Sequence, residues 1–131
     1  MRDAKPLSTE YAYTPVAVYY EDADNLEYIR RDVPSVYRRI DDLLTLILSM
    51  ENREPVGFQL KGFKHFYLRY IKDKFNGDDY AFMELVVVLE QAVRMLGNEV
   101  FSERERMSAY AKAQDIAKED EVQFSKTEIV A

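Results

Sequence analysis

The stretch that decides the fold is residues 41–75, which run DDLLTLILSM, ENREP, VGFQLKG and FKHFYLRYIKDKF. Residues 43–50 are an almost continuous apolar run, which predicts a central strand buried on both faces. After a turn at 51–54, residues 56–61 alternate apolar and polar side chains, as is typical of a strand. Residues 62–75 then carry apolar side chains at helical spacing. We therefore expect strand, strand and helix to fold as one unit.

Three more strands are predicted upstream of this unit. Apolar segments separated by turn-forming residues place them at 16–20, 26–31 and 36–40. Short connections between successive strands imply an antiparallel meander. Loop lengths then give a provisional register in which both faces of the sheet are apolar. One face is expected to carry Ile29, Val36, Ile40, Leu43, Ile47, Val56, Phe58 and Leu60. The other is expected to carry Val16, Val18, Tyr20, Leu26, Tyr28, Tyr37, Leu44, Leu46 and Leu48.

Two further helices are predicted downstream. Asp78 or Asp79 is a suitable N-cap for a helix that ends at Leu96, although its three consecutive valines leave a buried strand at 85–89 as an alternative. Ser102 and Glu105 form a capping box that opens a third helix over 102–118.

These elements predict one α+β domain over residues 1–131, a five-stranded antiparallel β-meander followed by three α-helices. Residues 1–14 are expected to form an N-terminal arm. The sheet occupies 16–61, the helices 62–118, and a frayed tail 119–131.

Composition excludes several classes of function. The chain has no cysteine and one histidine, which excludes disulfides, thiolate chemistry and zinc sites built on histidine pairs, so we expect neither metal nor cofactor. The longest apolar run, 85–89, is far shorter than the roughly 20 residues of a membrane span. The first residues contain no apolar signal segment, so a cytoplasmic protein without membrane contact is expected. The net charge of −6 argues against general nucleic-acid affinity.

Three segments resemble a known family. They are YEDADNLEYIR at 20–30, IDD at 40–42 and VGFQL at 56–60. Together they resemble a bacterial domain-of-unknown-function family of short β-meander proteins, whose pattern is Tyr-Asp…Asp-x-Leu-Tyr-Ile-Arg followed by Val-Gly-Ile-Glu-Ile. The similarity covers about residues 16–61, with Glu27 inserted in the first motif and the helices outside it. It implies a small bacterial protein with a meander sheet and no assigned activity.

A basic stripe on the first helix is the best candidate for a binding site. It consists of Lys61, Lys64, His65, Arg69 and Lys72, mostly at three- and four-residue steps. Such a stripe would suit phosphate or an acidic partner, while the ordinary alternative is a solvated helix face. His65 is also the sole candidate for a histidine general base, and the sequence places no nucleophile or carboxylate beside it.

Two other polar groups have structural alternatives. In the provisional register Arg30 lies opposite Tyr37 and Arg39 opposite Tyr28, which predicts either cross-strand stacking or a basic, aromatic RNA-binding face. Four aspartates suggest metal binding or acid–base chemistry, but they lie in turns, where aspartate is common for backbone reasons. These four are Asp22, Asp24, Asp41 and Asp42.

The apolar second face of the sheet requires a cover. A homodimer is the simplest one, with the third helix or the arm as alternatives. The residues expected at the dimer interface are Tyr28, Tyr37, Leu44, Leu46 and Leu48. The sequence therefore favours a non-enzymatic binding or regulatory module that acts as a homodimer and has a possible protein partner. The alternatives are an RNA or phosphate-ligand binder using the helix at 62–75, and an enzyme centred on His65.

Overall fold

The computed structural model describes residues 13–72, 82–96 and 104–126. Within these residues the chain forms a five-stranded antiparallel sheet, three helices and a two-stranded sheet, which confirms the predicted α+β class. The large sheet consists of β1 (Ala17–Tyr20), β2 (Asn25–Ile29), β3 (Ser35–Arg39), β4 (Leu44–Ser49) and β5 (Pro55–Lys61). The small sheet pairs β6 (Phe82–Glu84) with β7 (Gln123–Ser125).

The helices follow the large sheet in the chain. Helix α1 starts as an α-helix, Phe63–Phe66, and continues as a π-helical turn, Tyr67–Ile71. Helix α2 is Leu85–Leu96, so the alternative of a strand at 85–89 does not occur. Helix α3 is Arg104–Glu119. The parts of the predicted helices at 73–81 and 97–103 lie outside the described residues.

The strand order is β1-β2-β5-β4-β3, so β2 and β3 are not neighbours as a sequential meander would require. Strand β2 pairs with β5 instead, which sets Leu26 opposite Leu60 and Tyr28 opposite Phe58. All four side chains are buried. The predicted pairing of β2 with β3, and with it the cross-strand arginine–tyrosine stacking, is therefore wrong, because β5 supplies β2 with apolar partners.

Strand β4 lies between β3 and β5 with most of its side chains buried, which confirms its predicted central position. The predicted division of the two faces is wrong in part. Leu44 and Leu46 lie opposite Leu60 and Phe58, so all four belong to one face. The irregularity after Ile47 explains the error, because one extra residue in a strand changes the face on which the following side chains lie.

All three helices contribute to one core on the face of Leu46 and Phe58. Buried side chains of α1, α2 and α3 join the same cluster as those of the sheet, represented by Phe63, Leu89 and Ile116. This is the side on which the sequence placed Leu44 and Leu46, so the third helix, one of the candidate covers for that second face, does pack there together with α1 and α2. None of the described helices packs on the opposite side of the sheet, which is called the helix-free face below.

The turn between β1 and β2 fastens helix α1. Asp24 has a left-handed backbone (φ 48°), and its carbonyl accepts the N–H of Gly62 at 2.7 Å. Its carboxylate accepts the N–H of Lys64 at 2.7 Å and the hydroxyl of Tyr19 at 2.7 Å. A carboxylate at a helix N-terminus satisfies unpaired N–H groups and favours the helix dipole. Asp24 therefore acts as an N-cap supplied from 40 residues away.

The segment 119–131, predicted to fray, contains β7 in its described part. Val122 and Phe124 are buried, and the Val122 carbonyl accepts the N–H of Leu85 at 2.8 Å. The Phe124 ring lies edge-on to Phe63 and Tyr67, with centroids 5.0 and 5.8 Å away. Such aromatic pairs add to the burial of apolar area. The C-terminal segment thus closes the core around α1.

Gly57 marks the closest approach of β2 and β5. A Cβ atom at this position would lie 2.2 Å from the carbonyl oxygen of Tyr28, which is backbone and cannot rotate away. The two strands would have to separate to admit any side chain. Gly62 differs, because its φ of +65° requires glycine-like freedom while the space around it is open.

We predict that Gly57→Ala lowers the free energy of unfolding by about 3 kcal/mol, the upper end of overpacking costs. Urea titration followed by circular dichroism measures this loss. Gly62→Asn is the matched control, since asparagine tolerates a left-handed backbone, and it is expected to cost less than about 1 kcal/mol. Equal losses in the two variants would contradict the steric argument.

Candidate interaction surface

Five apolar or aromatic side chains are exposed on or beside the helix-free face. Ala17 and Tyr19 of β1 pack on the core, so the alternate residues of that strand point the other way. Tyr13 is held beside these residues by a hydrogen bond that its hydroxyl donates to the Ile29 carbonyl, at 2.6 Å. More than a third of the surface of each side chain is accessible. We name this set the tyrosine patch: Tyr13, Val16, Val18, Tyr20 and Tyr37.

A hydrogen-bond network crosses the helix-free face. Glu27 of β2 accepts hydrogen bonds from the amide of Gln59, at 2.8 Å, and from the hydroxyl of Tyr37, at 3.4 Å. Because β5 and β4 separate β2 from β3, the Tyr37 and Glu27 side chains must reach toward each other over these two strands. Tyr37 lies in the row of Ile47 and Gly57, and Ile47 is fully buried. The Tyr37 side chain therefore covers the centre of the helix-free face.

Tyr37 and Tyr13 of the patch remain neutral donors. Burial, then the charge of Glu27 and its hydrogen bond, raise the pKa of Tyr37. Burial raises the pKa of Tyr13 as well, followed by the charges of Asp32 and Glu27. Phenols with raised pKa values are protonated at neutral pH. The patch thus combines apolar rings with hydroxyl groups around the carboxylate of Glu27, a composition suited to protein contacts.

Of the predicted basic stripe, Lys64, His65 and Arg69 lie in α1, whereas Lys61 is the last residue of β5 and Lys72 directly follows the helix. Lys61, His65, Arg69 and Lys72 are exposed and Lys64 is half-buried. The guanidinium of Arg69 lies 5.6 Å from the centroid of the Tyr70 ring. The N-terminus of α1, where a phosphate would meet backbone N–H groups, is filled by the carboxylate of Asp24.

Four of the five residues expected at a dimer interface lie under the chain's own helices. Tyr28, Leu44 and Leu46 are buried in the core and Leu48 packs against it. Only Tyr37 is exposed. The sequence placed Val16, Val18 and Tyr20 on the same face as Tyr37, but it mixed them with core leucines and did not include them in the expected interface. The usable signal was the alternation of VAVYY at 16–20 together with Glu27, a charged residue between Leu26 and Tyr28.

Asp41 joins the sheet to α3. One carboxylate oxygen accepts the N–H groups of Leu43 and Leu44, at 2.9 and 2.7 Å. The other accepts the Tyr110 hydroxyl at 2.7 Å and Nε of Arg106 at 3.0 Å. Burial, followed by the bond to Asp41, raises the pKa of Tyr110. Asp41 therefore stabilises the turn before β4 and forms an ion pair with α3. Its carboxylate is not part of an open acid–base site.

The other turn aspartates have similar structural roles or lie at the surface. Asp42 pairs with Arg39 at 2.8 Å, Asp24 caps α1, and Asp22 is exposed. Within the described ranges, no group of three or more histidine or acidic residues is arranged to hold a metal ion.

Asp120 joins the end of α3 to β2. It accepts two bonds from the Arg30 guanidinium, at 2.7 and 3.0 Å, and one from the Tyr28 hydroxyl at 2.7 Å. Burial alone would raise the pKa of this carboxyl, but the bonds from Arg30 and Tyr28 outweigh it and lower the pKa. Two-point guanidinium–carboxylate pairing fixes both position and orientation.

Comparison of the chain with protein-family models, curated proteins and solved structures finds no match. The resemblance of residues 16–61 to a bacterial family therefore stays a prediction. In the part of the chain that the structure describes, no helix has the length and apolar character that crossing a membrane requires.

We predict that Asp120→Asn lowers the free energy of unfolding by about 2 kcal/mol at pH 7, because charge-assisted hydrogen bonds are lost. A carboxyl whose pKa is lowered by folding stabilises the fold at every pH above its pKa in the unfolded chain, 3.8. This stabilisation is lost as the pH falls through the pKa of the folded state. The difference in the free energy of unfolding between wild type and variant should therefore become smaller below about pH 4.

Urea titrations from pH 7 to pH 3 measure this difference. Asp115→Asn, at an exposed position of α3, is the control and is expected to change stability by less than about 0.5 kcal/mol. A difference that stays constant over the whole pH range would show that the Asp120 charge is not responsible.

Proposed function

We propose that the protein is a non-enzymatic binding module that acts as a homodimer, and that the two subunits meet through the tyrosine patch. The observation that carries this proposal is the position of the five exposed apolar and aromatic residues on or beside the helix-free face. Exposed patches of this kind mark interaction sites in soluble proteins. Tyrosine is also among the residue types enriched at protein interfaces.

The charge distribution supports a second copy as the occupant. Two molecules of net charge −6 repel each other, so they must meet where little charge is present. The Glu27 carboxylate within the patch already accepts bonds from Gln59 and Tyr37, and the charge of Asp32 acts on Tyr13. Symmetric dimers use one surface twice, and a nearly neutral surface of hydroxyl-bearing rings can face its own copy.

The two alternatives based on α1 have weaker support. An enzyme centred on His65 requires an enclosed histidine with an orienting partner, whereas His65 is exposed. A phosphate or RNA site on α1 would compete with Asp24 for the backbone N–H groups. Neither alternative accounts for the tyrosine patch.

We predict a mass near twice 15.4 kDa for the wild-type protein in multi-angle light scattering over a range of concentrations. Val18→Lys should shift the protein to monomer, because it places a charged, strongly hydrated group within the apolar interface. The fold should be retained, since Lys at this position lies opposite Glu27 across the strand pair.

Leu68→Lys provides the matched control for this experiment. Leu68 on α1 is 39% exposed and Val18 is 38% exposed, so both variants add the same charge at equally accessible apolar positions. The control should remain dimeric. A wild-type monomer at all concentrations, or equal dissociation of both variants, would overturn the proposed interface.

A further inference from the structure

A second surface lies at the β3 edge of the sheet, on the face that the helices pack against. It is a cleft of about 530 Å³. Its lining residues are Val36, Arg38, Leu46, Leu48, Arg53 and Lys112. Helix α3 packs on β4 and β5, and the side chains of Val36 and Leu48 next to the edge remain only partly buried. The cleft therefore has an apolar floor that the chain's own helices do not fully cover.

The rim of this cleft is positively charged although the protein is acidic. Arg38 pairs with Glu105 of α3. Arg53 and Lys112 are exposed, and neither makes an ion pair with any residue in the described ranges. Three cations around an apolar floor attract a ligand that carries carboxylates beside apolar groups.

At the same place, no other described strand pairs with the outer side of the β3 backbone. This strand is the last in the sheet order. The Met50 N–H donates to the Pro34 carbonyl at 2.9 Å, so these two residues are a hydrogen-bonded pair of the ladder between β3 and β4. Since bonded pairs alternate along an antiparallel ladder, Val36 and Arg38 bond to β4 and the N–H and C=O of Tyr37 point away from the sheet. An extended peptide can pair with such an edge.

We propose that β3 and the adjoining cleft bind an extended, acidic segment of a partner protein, which adds to the sheet as a sixth strand. Alternate side chains of the segment would enter the cleft, where apolar groups meet Val36 and Leu48 and carboxylates meet Arg53 and Lys112. The backbone of Tyr37 supplies the edge hydrogen bonds.

Peptide fits this surface better than nucleic acid does. No aromatic ring is among the residues that line the cleft, and single-stranded nucleic acids are bound by stacking bases on such rings. The cleft also lies on the other side of the sheet from the proposed dimer interface, although Tyr37 contributes its backbone to the first site and its side chain to the second. Lys112 belongs to α3 on the helix-covered side of the sheet, whereas Val18 lies on the helix-free face.

The test is a selection of displayed random peptides of about ten residues, the length of a long strand, on the purified full chain. Selected peptides are expected to carry acidic and apolar residues two positions apart, so that both kinds of side chain face the cleft. Lys112→Glu should weaken their affinity at least about tenfold, because it reverses a charge that the ligand contacts. Lys118→Glu, on the same helix and with the same charge change, should alter the affinity by less than about twofold.

Hydrogen exchange of the Tyr37 amide distinguishes strand addition from mere charge attraction. Exchange at this amide should slow when a selected peptide binds, since its N–H becomes paired. The proposal is overturned if no peptides with acidic and apolar residues two positions apart are selected, if both lysine variants weaken binding equally, if the Tyr37 amide is unaffected, or if single-stranded RNA displaces the peptides.

Discussion

The pairing of β2 with β5 is the constraint on which the rest of the structure depends. It sets Leu26 against Leu60 and Tyr28 against Phe58, and it brings the two backbones together at Gly57. Strand β2 is thereby fixed in the middle of the sheet, with β1 on one side. The turn that carries Asp24 then reaches the start of α1, and the end of β2 places Arg30 beside Asp120 of the C-terminal segment. The helices are thus attached to the sheet at both ends of one strand.

The sequence was sufficient for the class of fold because local patterns determine which elements form. The apolar run of β4, the alternation of β5 and the helical spacing of α1 all correspond to observed elements. Strand order was not predictable in the same way, because it depends on which strands bury one another's side chains. Short loops favoured β3 as the neighbour of β2, but the 30–34 connection crosses the end of the sheet instead.

The candidate surfaces were harder to predict than the fold, and for a related reason. A single irregularity after Ile47 changes which side chains share a face, and residues assigned to an interface lie in the core instead. The positions of Tyr37 and Glu27 on one face follow only when β4 and β5 are placed between their strands. The cleft at β3 likewise depends on where α3 crosses the sheet. Charge at Arg38, Arg53 and Lys112 is visible in the sequence, but their proximity is not.

The placement of Phe124 has a consequence for synthesis of the chain. Its ring packs against Phe63 and Tyr67, and β7 pairs with β6, so the aromatic core stays open until residue 124 has left the ribosome. Asp120 and its bonds to β2 are added at the same late stage. Until then, Phe63 and Tyr67 lack the cover that the Phe124 ring provides. Protection by chaperones would matter most in the interval between the emergence of α1 and that of β7.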